Sequence, residues 1–98
     1  MSGRDYIFTV QKCNWEREPN VFSLLCNSAT NQWGEEILLH NELDMTFKVV
    51  DGKIELLDGW HVGTESFGLE PGDEHWIEYY HPGITEQILD KMKFEGLI

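Results

Sequence analysis

Between Lys53 and Lys91 the chain contains no lysine and no arginine, while nine aspartates and glutamates fall in the same interval. Over the whole chain, eighteen acids stand against seven bases, a formal net charge of -11. The imbalance is local. Residues 1–33 balance, with Asp5, Glu16 and Glu18 against Arg4, Lys12 and Arg17, and the excess lies entirely in residues 34–98. A field of this sign repels phosphate backbones and anionic lipid headgroups and attracts basic partners. Direct nucleic-acid binding and membrane-surface binding are therefore not expected.

Other things are scarce. No apolar run approaches the roughly 18–20 residues that a membrane span needs. The opening "MSGRDYIFTV" lacks the basic start and apolar stretch of a signal peptide, so the expected location is intracellular and cytoplasmic. There are only two cysteines, Cys13 and Cys26. If residues 5–12 and 20–27 pair as a hairpin, these lie on the order of 20 Å apart at strand rise. That exceeds the ~7 Å limit for a bridge, and two free thiols are expected. No Gly-x-Ser-x-Gly elbow, Walker loop or Cys-x-x-Cys occurs. Gly59, Gly63, Gly68 and Gly72 spell no phosphate motif, and Glu65 and Glu70 give their loop the wrong charge for one. No catalytic constellation and no cofactor is expected.

What is present is enough to fold. Ninety-eight residues at 41% hydrophobic suffice for one domain and exclude a disordered acidic tail. "DYIFTVQK" alternates apolar and polar and reads as a strand. "CNWEREPN" is a polar connection in which Pro19 bars helix. "VFSLLCNS" is apolar on both faces and reads as a central or covered strand. "ATNQWG" is turn-like. "EEILLHNEL" fits a short helix or a strand, with strand favoured because the next segments are strands.

"DMTFKVVDGKIELLD" reads as a hairpin about Asp51-Gly52, because a type I′ turn needs positive φ at both central positions. The implied register sets Val50 against Lys53, Val49 against Ile54, Lys48 against Glu55 and Phe47 against Leu56. Phe47, Val49, Ile54 and Leu56 then share an apolar face, with a Lys48–Glu55 ion pair on the other. Residues 59–72 are long for a structureless loop, so short strands near Trp60–Val62 and Ser66–Leu69 are one reading and a functional loop the other. "ITEQILDKMKFEGLI" reads as a helix. Ile84, Ile88 and Met92 repeat at i, i+4, i+8, Thr85 is the expected N-cap, and Gly96 is the expected C′ residue. The expected architecture is α+β: a single domain over residues 1–98, with an antiparallel sheet of four to six strands and the C-terminal helix packed on one face. A further short helix is expected in 30–43 or 73–80.

The stretch "LEPGDEHWIEYYHPG" carries most of the functional signal. His75, Glu78 and His81 have metal-like spacing, but neither a helix nor a strand converges three groups at that spacing. No metal site is assigned to them, and the histidines are expected to be partly exposed. Asp73 to Tyr80 reads as a short helix capped by Asp73, which buries Trp76, Ile77 and Tyr80 and turns Glu74 and Glu78 to water, or as a strand, which puts Trp76, Glu78 and Tyr80 on one face and Ile77 and Tyr79 on the other. A purely structural reading makes the aromatics core and the acids solvated surface. The charge argues for more, since self-repulsion of this size opposes the compact state, and solubility needs only a net charge of ~2–8.

The leading expectation is a non-catalytic acidic protein that blocks a basic surface of a partner such as a nucleic-acid-binding protein or nuclease. Its carboxylates would stand in for phosphates. The candidate partner-binding residues are Glu65, Glu70, Asp73, Glu74, Trp76, Glu78, Tyr79 and Tyr80, with Trp60 as a further aromatic anchor. Small acidic inhibitors of this kind occur among virus-encoded anti-defence proteins and immunity proteins, a likeness of size and charge. The alternatives are a metal-binding protein or small metal-dependent enzyme using Asp73, Glu74, His75 and His81, and an accessory subunit docking through its N-terminal hairpin.

Overall fold

A computed structural model describes residues 5–13 and 20–98. Five strands, β1 (Asp5–Lys12), β2 (Val21–Thr30), β3 (Glu36–Val50), β4 (Lys53–Val62) and β5 (Phe67–Leu69), are followed by α1 (Glu74–Tyr80) and α2 (Ile84–Phe94). The strands form one antiparallel sheet in chain order, β1-β2-β3-β4-β5. Each strand therefore turns back beside its predecessor. The polar connection expected at 13–20, with Pro19, lies mostly outside the described residues.

Alternation puts one set of side chains on the inner face: Phe8 and Val10 of β1, Phe22, Leu24 and Cys26 of β2, Leu43, Met45 and Phe47 of β3, and Leu56 of β4. Ile84, Ile88 and Met92 of α2 and Ile77 of α1 close the same cluster from above. These three α2 residues are completely buried. Burying each such side chain is worth about 1.5–3 kcal/mol, and that burial is what seats the helices on the sheet.

The β3–β4 hairpin has the expected register, Val50 to Lys53 through Phe47 to Leu56. Asp51 and Gly52 both have positive φ, 52° and 75°. Lys48 Nζ lies 3.5 Å from Glu55 Oε1. The ambiguous segment after Gly34 is strand, the first part of β3. It is bent: Cys26 faces Leu43 and Ser28 faces Leu38, so residues 39–42 are opposed on β2 by Asn27 alone. Extra residues on one strand bend a sheet and increase its twist. Beyond this bend the β2–β3 arm projects with Trp33 and Leu38 exposed.

Residues 59–72 resolve into the end of β4, a turn, and the edge strand β5. Gly59 is required there, because a Cβ at that position would overlap the Asp44 carbonyl of β3. Both cysteines are free, Cys26 fully buried and Cys13 partly. No helix among the described residues is long and apolar enough to cross a membrane.

One expectation about α2 fails. Thr85 is not its N-cap. Gly83 holds that position with φ 84° and no side-chain cap bond. The C-terminus is as expected: Gly96 has φ 75°, its N–H donates to Lys93 O (3.1 Å), and Leu97 N–H donates to Met92 O (2.8 Å). These two bonds are the Schellman pattern that satisfies the last carbonyls of a helix.

Phe47→Ala, at the fully buried centre of β3, is expected to lower unfolding free energy by about 3–5 kcal/mol in a urea titration. Leu38→Ala, on the exposed arm, is expected to change it by less than about 0.5 kcal/mol. Equal losses would contradict this placement of the core.

Candidate functional site

The stretch singled out in the sequence folds as a turn followed by α1. Asp73 occupies the N-cap position, but its side chain turns backward. Glu70 N–H donates to Asp73 Oδ2 (2.9 Å) and Asp73 N–H to Glu70 O (3.0 Å), closing a tight turn about Gly72, which has φ 99°. The expected forward cap by Asp73 is therefore replaced by a backward one. Trp76 N–H donates to Asp73 O (2.9 Å) and begins the helix.

The other acids of the segment are also held. Leu56 N–H of β4 donates to Glu74 Oε2 at 2.9 Å, so Glu74 ties α1 to the sheet instead of facing water. Partial burial works to raise its carboxyl, but backbone N–H donors, Leu56 first, outweigh it and hold the group below the usual glutamate value. Gly83 N–H donates to Glu78 Oε1 (2.6 Å) and Thr85 N–H to Glu78 Oε2 (3.4 Å). The last turn of α1 thus supplies the cap that α2 lacks, with a carboxylate placed where the helix dipole favours it. Tyr80 Oη donates to Glu65 Oε2 (3.0 Å), and this bond pushes the phenol above its ordinary value. The carboxylate of Glu70, by contrast, is exposed and takes no partner among the described residues.

The aromatics form a connected cluster from the surface inward. Tyr79 is 69% exposed and Trp76 37%. Trp76 is therefore more open than the buried position expected of it. Its ring lies 5.9 Å from Tyr80, 5.6 Å from Tyr79 and 6.1 Å from Phe67. Tyr80 is half-buried and stacks on His61 at 4.2 Å. Trp60 is half-exposed and crosses Gly68 of β5, away from α1.

Between the two helices runs an open cleft of about 670 Å³ whose lining includes the acids Glu74, Glu78, Glu86 and Asp90 and also His75, Leu89 and the cation Lys93. Sequence reasoning did not include Glu86 and Asp90 in the site. Their i, i+4 spacing on α2, off the Ile84–Ile88–Met92 stripe, is the signal that would have placed them.

The histidines part company. His75 is exposed, 4.8 Å from the Trp76 ring. His81 is 2% exposed, against the expectation of partial exposure, because it ends α1 and turns inward toward the sheet. With Glu78 committed to α2 and the two imidazoles on opposite sides, the His-x-x-Glu-x-x-His spacing does not converge. Among the described residues no group of three or more His, Cys, Asp or Glu side chains is placed to hold a metal ion. Cys26 is shielded beneath the helices, and burial pushes its thiol up, away from the reactive thiolate.

Comparisons with protein-family models, with curated proteins and with solved structures find no match to this chain.

Glu74→Gln and Glu78→Gln each remove a charge-assisted bond to backbone N–H groups and are expected to cost about 1–3 kcal/mol of stability. Glu70→Gln is expected to change stability by less than about 0.5 kcal/mol. Chemical denaturation of the three variants at pH 7 checks this. The Glu74 contribution, coming from a carboxyl held low, is present above its ordinary pKa of about 4.5 and is lost as the pH falls below it.

Proposed function

We propose that the chain is a small non-catalytic binding protein whose acidic surface on α1 and α2 occupies the basic face of another protein, of the kind that otherwise holds nucleic acid. The observation that carries this reading is the joining of fixed carboxylates and open aromatic rings on α1 and the turns beside it. Glu65, Asp73, Glu74 and Glu78 are each held by a hydrogen bond. A carboxylate has about four acceptor sites, so each keeps capacity for an incoming lysine or arginine. Their rotamers are already ordered, which reduces the entropy lost on binding. Glu70, Glu86 and Asp90 add charge on which no hydrogen bond or ion pair among the described residues depends. Trp76 and Tyr79 stand beside them as the aromatic anchors that interfaces favour.

The charge distribution fits the same use. The interval free of lysine and arginine covers most of β4, all of β5 and α1, and the first half of α2. Like-signed charge over a continuous surface steers an oppositely charged partner and speeds encounter.

Affinity capture should use a variant that leaves the structural bonds intact: Glu70→Gln, Glu86→Gln and Asp90→Asn combined, with Tyr79→Ala made separately. The expected result is a basic protein retained by the wild type at about 50 mM salt and released at about 500 mM. Retention should fall at least about tenfold with either variant. Retention indifferent both to salt and to the three charge substitutions would overturn the reading.

A further inference from the structure

His61 of β4 and His81 at the end of α1 meet in the interior, where the helix pair joins the sheet. Each is 2% exposed. Their rings lie 5.8 Å apart, edge to face. The Nε2 atom of each is buried and finds no hydrogen-bond partner among the described residues. Around them, His61 stacks on Tyr80 (4.2 Å) and touches Phe67 (5.1 Å), and His81 meets the edge of Tyr6 (6.1 Å). A Cβ on Gly63 would overlap Asn41 Oδ1 and come within 3.1 Å of His61 Nε2, so the Gly63 backbone and the Asn41 amide both lie near that ring nitrogen without hydrogen-bonding it.

The position matters as much as the burial. His81 N–H donates to Ile77 O (2.9 Å) and Ile84 N–H donates to His81 O (3.1 Å), so this residue is the joint between the two helices. Tyr6 Oη donates to the neighbouring Pro82 O (3.0 Å). The joint is thus held to β1 through Tyr6 and to β4 through His61.

We propose that the His61–His81 contact is an acid-released latch, closed while both imidazoles are neutral and opened when they take up protons, lifting α1 and the α1–α2 joint from β4 and β5. A buried imidazolium needs a partner, and the surroundings offer little. The titratable groups against the pair are Tyr6 from β1, Tyr80 from α1 and Glu65 from the β4–β5 turn, with Phe67 of β5 apolar. Glu65 favours a charge on His61, but its carboxylate is turned to the Tyr80 hydroxyl and makes no hydrogen bond to either imidazole. A first proton on His61 would then repel a second on His81. Opening to water relieves both costs, which is the physical basis of histidine switches in general.

The titration supports the geometry. Burial, and then the proximity of His61, push His81 down to about 4 from an ordinary 6.5. Burial also lowers His61, with Glu65 opposing. For groups depressed in this way the open state binds more protons below 6.5. The latch is therefore at full strength above that pH and weakens as the pH falls toward 4. It operates whether or not the acidic surface binds a partner.

The test is hydrogen exchange on the intact chain, with protection factors at pH 7.5 and pH 5, alongside an NMR titration of the four histidine Cε1–H signals. Opening of α1, the joint and the β4–β5 end is expected to rise about 25-fold for His81 alone over that interval, while central β2 and β3 amides stay protected. A His61→Phe/His81→Phe variant, which keeps ring packing, is expected to change less than about threefold. Imidazoles that titrate near 6.5 with helix protection unchanged in the wild type would overturn the latch, and this measurement stands even if the variant does not fold. A variant that folds and keeps the full pH response would also overturn it, as would Zn²⁺ shifting both buried imidazole signals at pH 7.5.

Discussion

The apolar stripe of α2 lying on the inner face of the sheet, with the helix body against β1, is the contact on which everything else depends. Ile84, Ile88 and Met92 are completely buried, as are Leu43, Met45 and Phe47 beneath or beside them. A five-stranded antiparallel sheet presents two faces, and the helices cover one of them. The uncovered face needs no cover so long as its side chains are polar or scattered, which is the ordinary condition of such sheets. With α2 seated, the eleven residues of that helix orient α1, and α1 orients the acids and rings of the candidate surface.

The acids are the second layer of this dependence. Carboxylates in a strongly negative chain would be expected to repel one another and stay in water. Here several are used as fasteners instead. Glu74 fixes α1 to β4, Glu78 caps α2 in place of a residue of its own, and Asp73 closes the entering turn. The cost of concentrating negative charge is partly offset by bonds to backbone N–H groups, which carry positive partial charge. Structural and binding roles of the same side chain are compatible, since a carboxylate bonded once still accepts elsewhere. Glu70, Glu86 and Asp90, by contrast, make no hydrogen bond or ion pair through their carboxylates among the described residues.

Much of this was legible along the chain. The Asp51-Gly52 hairpin was readable to the residue, because turn chemistry and alternation constrain the same register. The C-terminal helix and its Gly96 terminus were readable because the 3.6-residue period and a left-handed terminator act locally. The α+β class came from those elements. The choice of strand for residues 36–43 rested on the strands after them, since a short apolar run carries no period of its own. The cap of α2 was misread because Thr85 has the right chemistry at the right place, and nothing nearby in sequence announces that Glu78, seven residues earlier, reaches it first. Glu86 and Asp90 were not legible as part of the site for a different reason: they lie on the adjoining helix, outside the dense acidic run, and only the packing of α2 beside α1 brings them to the same cleft.

Composition and local pattern by themselves determined the charge and its confinement to the later two-thirds of the chain, the first two strands, the Asp51-Gly52 hairpin, the C-terminal helix, the free thiols, and the absence of familiar catalytic motifs. These depend on residue type and on neighbours a few positions away. The tertiary structure alone decided which acids are fasteners and which are free, that Trp76 stays half-open, and that His61 and His81 meet inside the protein. Twenty positions separate those two histidines, and only the path through β5, α1 and the joint brings their rings to 5.8 Å. Burial and partnership are properties of packing, and a sequence states them only where the packing is itself local.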